Sequence, residues 1–146
     1  AMDTASLVAC ELFGPDAAVE PCEGIIERSY GTFEEGPHDA LPTDVWDPGE
    51  DLIPFGGEGS HALQERMVDT LTNIMGAEDI ETLLAVSHGS ASRQFIKAAA
   101  PEGFELPTKL PNCAIMIFGF DDAREEDDTP QCKFTLQQIV DPQQSH

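Results

Sequence analysis

Apolar positions along the chain fall into short patches with distinct periods. From Asp3 to Phe13, Leu7, Val8, Leu12 and Phe13 recur near one helical face, and Gly14-Pro15 stops the run. Val19 to Ile26 reads as a short strand that Pro21 makes an edge or irregular piece. Arg28 to Gly59 is rich in Gly and Pro, and predicts a long loop that serves a site or moves. Ser60 to Met75 is the strongest helix: Ser60 suits an N-cap, Leu63, Met67, Leu71, Ile74 and Met75 form a stripe, and Gly76 ends it. Glu81 to Val86 predicts a buried strand, because Leu83 to Val86 is continuously apolar. Ser90 to Ala100 predicts a further helix, stopped by Pro101. Cys113 to Phe120 reads as another buried strand, Asp121 to Pro130 as an acidic turn and Lys133 to Val140 as an edge strand, with a frayed tail from Pro142.

Strands alternating with helices predict an α/β protein. The expected architecture is a three-layer α/β/α sandwich with a largely parallel sheet, in a single domain over residues 1–146. Ligands of such sheets bind beyond the carboxyl ends of the strands. Two ends carry chemistry here, Glu27-Arg28 after Ile26 and His88 after Val86.

Charge narrows the partners. The chain has 28 acidic against 7 basic residues, a net of −21. Such a surface repels nucleic acid and anionic membranes. An anionic substrate is compatible only where the few cations gather. No apolar run approaches the roughly 20 residues a bilayer requires, and no secretory leader is visible, so the cytoplasm is the expected compartment. Ala1 reads as an addition before a start at Met2. Cys10, Cys22, Cys113 and Cys132 lack zinc spacing and read as reduced thiols, with Cys113 in the core. The run Asp121 to Asp128 is rich in carboxylates but lacks the alternation and glycine of a helix-loop-helix calcium site, so it reads as a solvated turn.

In "LLAVSHGSASRQFI", Leu83 to Ile96, a histidine and a glycine sit where an apolar strand gives way to a helix. The helix start offers free N–H groups and a positive dipole end to an anion. His88 suits a phosphate contact, a base or a nucleophile; it also suits a purely structural strand end. In "IIERSYGTFEEG", Ile25 to Gly36, Arg28 can fork onto a phosphate and Glu27 can act as a general acid; the pair also reads as a surface ion pair.

Together, "ERSYGTFEEG", "PFGGEGSHALQERMVDTL" and "LLAVSHGSASRQFI" resemble the histidine phosphatase superfamily, which includes the cofactor-dependent phosphoglycerate mutases. The resemblance implies phosphoryl transfer through a phosphohistidine on a small phosphorylated metabolite, with no metal or organic cofactor. It implies Glu27 as proton donor to the leaving group and His88 as the histidine beside the phosphoryl group. It also implies Arg28 as a substrate contact and Gly89 as the point of close backbone approach. Glu58 falls in the motif usually written Gly-Glu-Ser, here Gly57-Glu58-Gly59-Ser60, and Arg66 reads as structural.

The chain departs from the family pattern at its start. It contains no Arg-His-Gly, the motif that carries the nucleophile, and "AMDTA" resembles the segment just after a family arginine. The expectation is a domain without its first strand, first helix and two pocket arginines, inactive as it stands. Its bare sheet edge is expected to form a homo-oligomer. The short link from Thr32 to Phe55 favours the phosphatase branch over a mutase proper, although Arg28 leans toward the mutases. A non-catalytic module that binds inorganic phosphate, or pairs through its strand edge, is the alternative.

Overall fold

The computed structural model describes residues 1–36, 41, 44, 46–77, 79–122 and 132–143. Among the described residues three α-helices and two strands run in the order α1 (Met2–Phe13), α2 (Ser60–Met75), α3 (Gly89–Ala99), β1 (Ile115–Phe120) and β2 (Phe134–Val140). The chain is a mixed α/β protein.

The core forms where periodic apolar faces meet. Leu63, Met67 and Leu71 lie four residues apart on α2 and face Ala91, Phe95 and Ala99 of α3. β2 closes the cluster with Phe134, and Phe118 and Phe120 of β1 pack on it. The Phe95 ring meets Phe118 and Phe134 edge to face, with centroids 4.8 and 5.2 Å apart. Each such fully buried side chain contributes roughly 1.5–3 kcal/mol.

Among the described residues the sheet is two-stranded and antiparallel, Ile115 opposite Val140 and Phe120 opposite Phe134, with a bulge after Ile117. The ladder expected through Val19–Ile26 and Glu81–Val86 is not formed. Glu23–Ile25 is instead a 3-10 turn, and 82–88 has no regular structure. Side chains account for the difference. Arg66 donates to the carbonyls of Gly24 and Ile26, and the Ser87 hydroxyl donates to that of Ile25 at 2.6 Å. Oxygens that a neighbouring strand would pair are thereby taken.

One further expectation is corrected. Cys113 is exposed, with a positive φ of 61°, rather than in the core. The apolar stripe of α1 packs on little: Leu7 and Phe13 are 70% and 72% exposed, and only Ala9 is buried. Cys10, Cys22 and Cys113 are free thiols.

The long loop is tightly folded where described. Gly31 takes a left-handed φ of 58°, and a Cβ there would stand 2.2 Å from the Phe55 carbonyl oxygen. Only glycine lets the two segments approach this closely. Glu58 N–H then donates to the Ser29 carbonyl at 2.8 Å, and Ser60 N–H to Gly49 at 3.0 Å.

Candidate active site at the start of α3

Arg28 is the centre of the site. Its residue is 2% exposed, although the residues on either side of it are not buried. Nε donates to the Ser90 hydroxyl at 3.2 Å, and Nη2 to the Ser60 hydroxyl at 2.7 Å. Nη1 donates to the carbonyls of Glu58 (2.9 Å) and Gly49 (3.2 Å). One planar fork thus ties together the starts of α2 and α3 and the end of the loop. Burial pulls the guanidinium below its ordinary value, against the opposing charges of Tyr30, Glu58, Asp47 and Glu27. The guanidinium remains charged, as it does throughout proteins. Ser60, expected as an N-cap, is the first helical residue of α2 after the cap at Gly59, and its hydroxyl serves Arg28 instead.

Glu27 turns the other way. Its carboxylate accepts N–H groups from Ala91 at 2.8 Å, Ser90 at 3.2 Å and Arg28 at 2.9 Å. It therefore caps α3 from 63 and 64 residues away, a favourable place for negative charge. The seat expected for an outside anion at this helix start is filled by the chain's own carboxylate.

His88 is the N-cap residue of α3 in extended backbone, half-buried, and its carbonyl accepts from Ser92 N–H at 2.9 Å. Gly89 follows as the first helical residue. Sequence and structure thus bring Glu27, Arg28, His88 and Gly89 to one corner. The Tyr30 hydroxyl bonds Ser90 at the same corner, and burial raises its pKa, with Glu27 and Glu34 adding to the rise.

Beside Glu27 lies an open cleft of about 270 Å³, lined by Ile26, Glu27, Ser29, Gly56, Gly57, Glu58 and Arg66. Arg66 grips Glu58 with both arms, Nε to Oε1 and Nη2 to Oε2 at 2.8 Å each. The pair is partly exposed and fixes the cleft wall more than it stabilises the fold.

The sequence reading missed a second wall. Trp46 packs at α3, where its Cζ3 stands 3.5 Å from the place a Cβ would take on Gly89. Asp47 anchors it, accepting from Gln94 Nε2 at 2.9 Å and from Lys97, with Arg93 nearby. Burial works to raise the Asp47 carboxyl, but hydrogen bonds from Lys97 and Gln94 and the charges of Lys97 and Arg93 outweigh it and hold it low. The sole tryptophan beside Asp47-Pro48-Gly49 was the signal available. His38, His146 and the acidic run from residue 123 lie outside the described residues, and His61 stands exposed in the first turn of α2. Among the described residues no group of three or more His, Cys, Asp or Glu is placed to hold a metal ion, and no helix is long and apolar enough to cross a membrane.

No curated protein and no solved structure matches the chain. The family model described as histidine phosphatase superfamily (branch 1) matches residues 1–129, a span that includes α1, the Arg28 network, α2, α3 and β1. With its Glu-Arg pair, Gly-Glu loop and Ser-His-Gly folded around one helix start, the chain belongs to the histidine phosphatase superfamily.

Proposed function

We propose that this domain holds a phosphoryl group of a small phosphorylated metabolite at the start of α3, in the manner of phosphohistidine chemistry. In this reading Glu27 passes a proton to the leaving oxygen, His88 contacts the phosphoryl group and Gly89 permits close backbone approach. The observation that carries it is the meeting of Glu27 with the helix that His88 caps, through bonds of 2.8 and 3.2 Å to Ala91 and Ser90. Arg28, with its guanidinium bonded inward, positions this corner. The phosphoryl group competes with Glu27 for the same N–H groups, so the carboxylate swings toward the cleft on binding, takes up the proton of the phosphomonoester monoanion there and passes it to the leaving oxygen.

Turnover needs a nucleophile, and these 146 residues contain no Arg-His-Gly. The chain on its own is therefore expected to bind without hydrolysis. Hydrolysis of para-nitrophenyl phosphate is measured beside His88→Ala, together with inorganic phosphate binding by calorimetry. Binding in the millimolar range, lost in His88→Ala, with no hydrolysis above that variant, is the expected result. Hydrolysis that vanishes in His88→Ala overturns the inactivity. Absence of phosphate binding overturns the site.

A second reading rests on a different observation. Leu83, Leu84 and Ala85 are exposed, and residues 82–87 make no backbone hydrogen bond among the described residues. Thr82 to Ser87 carries no charge, so two copies can pair there without local repulsion. Sedimentation equilibrium is expected to show a dimer that strengthens with salt; a monomer at every concentration sinks this reading.

A further inference from the structure

Two elements of this fold lack the support that elements of their kind need. α1 is a helix of 12 residues in which only Ala9 is buried, and no side chain caps its start. A helix of that length is marginal in water by itself, and packing of an apolar face is what keeps it formed. Yet Met2, Leu7, Cys10 and Phe13, which helical spacing puts on one side, all stand exposed. The sheet is the second case, because two strands alone are marginal without something packed on them. Its inner face has α3, where Phe95 meets Phe118 and Phe134. Its outer face carries Ile115 and Ile117, both exposed, with Val140 and Gln138 opposite them.

The two faces suit each other. One is a helix without a sheet, the other a sheet with one face uncovered, and helix on sheet is how α/β layers are built. Charge agrees. In a chain of net charge −21, neither Ile115–Phe120 nor Phe134–Val140 contains a charged residue. Asp3, on the exposed side of α1, therefore meets no carboxylate on those strands. Area decides how the faces are used. At roughly 150–200 Å² for a fully exposed large side chain, Met2, Leu7, Phe13, Ile115 and Ile117 leave roughly 500 Å² of apolar surface open on each copy. A specific interface takes about 800 Å² per partner, about 60% of it apolar, which is the same amount. Neither face alone reaches it. Both are used when each copy lays its helix on the sheet of the other, an arrangement with two-fold symmetry that closes at two chains. The connection allows this. Gly14 to Cys22 contains no helix or strand, and Gly14 takes a φ of 97° in open space. A stretch of that length spans up to about 30 Å when extended.

We infer that α1 of one copy packs on the outer face of the β1–β2 sheet of a second copy, and reciprocally, to form a closed dimer. The contact joins faces rather than edges, so it is separate from pairing at residues 82–87, and it does not depend on the phosphoryl reading.

The test is made with Leu84→Asp in every chain, which removes pairing at 82–87. Sedimentation equilibrium of that chain is expected to show a dimer in the micromolar range that strengthens with salt, and no larger species. Phe13→Glu and Ile117→Lys, added singly, are each expected to weaken it at least tenfold. Their equimolar mixture is expected to restore it, because the mixed dimer sets an unaltered helix on an unaltered sheet and brings the two new charges, opposite in sign, together. Trp46 emission, which reads the packing beside Gly89, shows whether each variant is folded; Leu7→Glu with Ile115→Lys is the second pair should either fail. A chain that is monomeric at every concentration overturns the contact. So does a dimer that neither substitution weakens. Loss of the dimer in Phe13→Glu alone, or no recovery on mixing folded variants, overturns the exchange of helix and sheet.

Discussion

Two neighbouring segments treat polarity in opposite ways. At Arg28 a charged side chain is 2% exposed, while at Leu84, in the segment whose Ser87 bonds Ile25, an apolar one is 55% exposed. The charged group is buried because every acceptor it requires is supplied from within, two carbonyls and two hydroxyls in a planar fork. The leucine is exposed because packing alone recommends burial, and among the described residues no element packs over it. Saturated hydrogen bonding, not hydropathy, has decided which of the two segments is interior.

The comparison breaks most forcefully at Arg28. Arg28→Met leaves the oxygens of Gly49, Glu58, Ser60 and Ser90 without their donor, and is expected to cost at least about 3 kcal/mol in urea denaturation at neutral pH. Arg28→Lys restores the charge but not the fork, and should recover only part of this. A smaller effect is expected at Asp47, whose carboxyl is held below its ordinary value of 3.8. A depressed folded-state pKa gives stability that is whole above the ordinary value and lost as pH falls through the folded one. Trp46 emission should therefore stay constant down to about pH 4 and change below it, and Asp47→Asn should flatten that response. The smallest effect on stability belongs to Leu84→Asp, within about 0.5 kcal/mol because the site is exposed. The same substitution should nonetheless weaken any dimer seen by sedimentation, which separates solvent exposure from pairing.

The helices were readable because their signals are local. The stripe Leu63, Met67, Leu71 and the stop at Gly76 place α2 at Ser60–Met75, as expected. The Ser-His-Gly junction placed α3 within a residue, and β1 and β2 came out slightly shorter than expected, but β1, expected to be buried, alternates between exposed and half-buried positions, with Ile115 53% and Ile117 42% exposed. The strands at Val19–Ile26 and Glu81–Val86 were not readable in the same way. An apolar run states a preference for burial, but a strand exists only when a neighbour supplies its hydrogen bonds. Here Arg66 and Ser87 take carbonyls such a neighbour would need. The same limit applies to the site. Glu27, Arg28 and His88 could be chosen by type and motif, yet nothing local says that Glu27 caps a helix more than 60 residues away or that Arg28 turns inward. Trp46 went unassigned for the same reason: its partner Gly89 is remote in sequence.

The Arg28 network also constrains the order of events during folding. Its acceptors lie 21, 30, 32 and 62 residues further along the chain. Closing loops of that length costs entropy before any bond repays it. α2 and α3 can begin from short-range contacts, whereas the fork can close only after both have docked. The corner that gathers Glu27, Arg28 and His88 is therefore among the last parts to assemble. A nascent chain that has emerged only as far as α2 holds three of the four acceptors, lacks Ser90, and has no site.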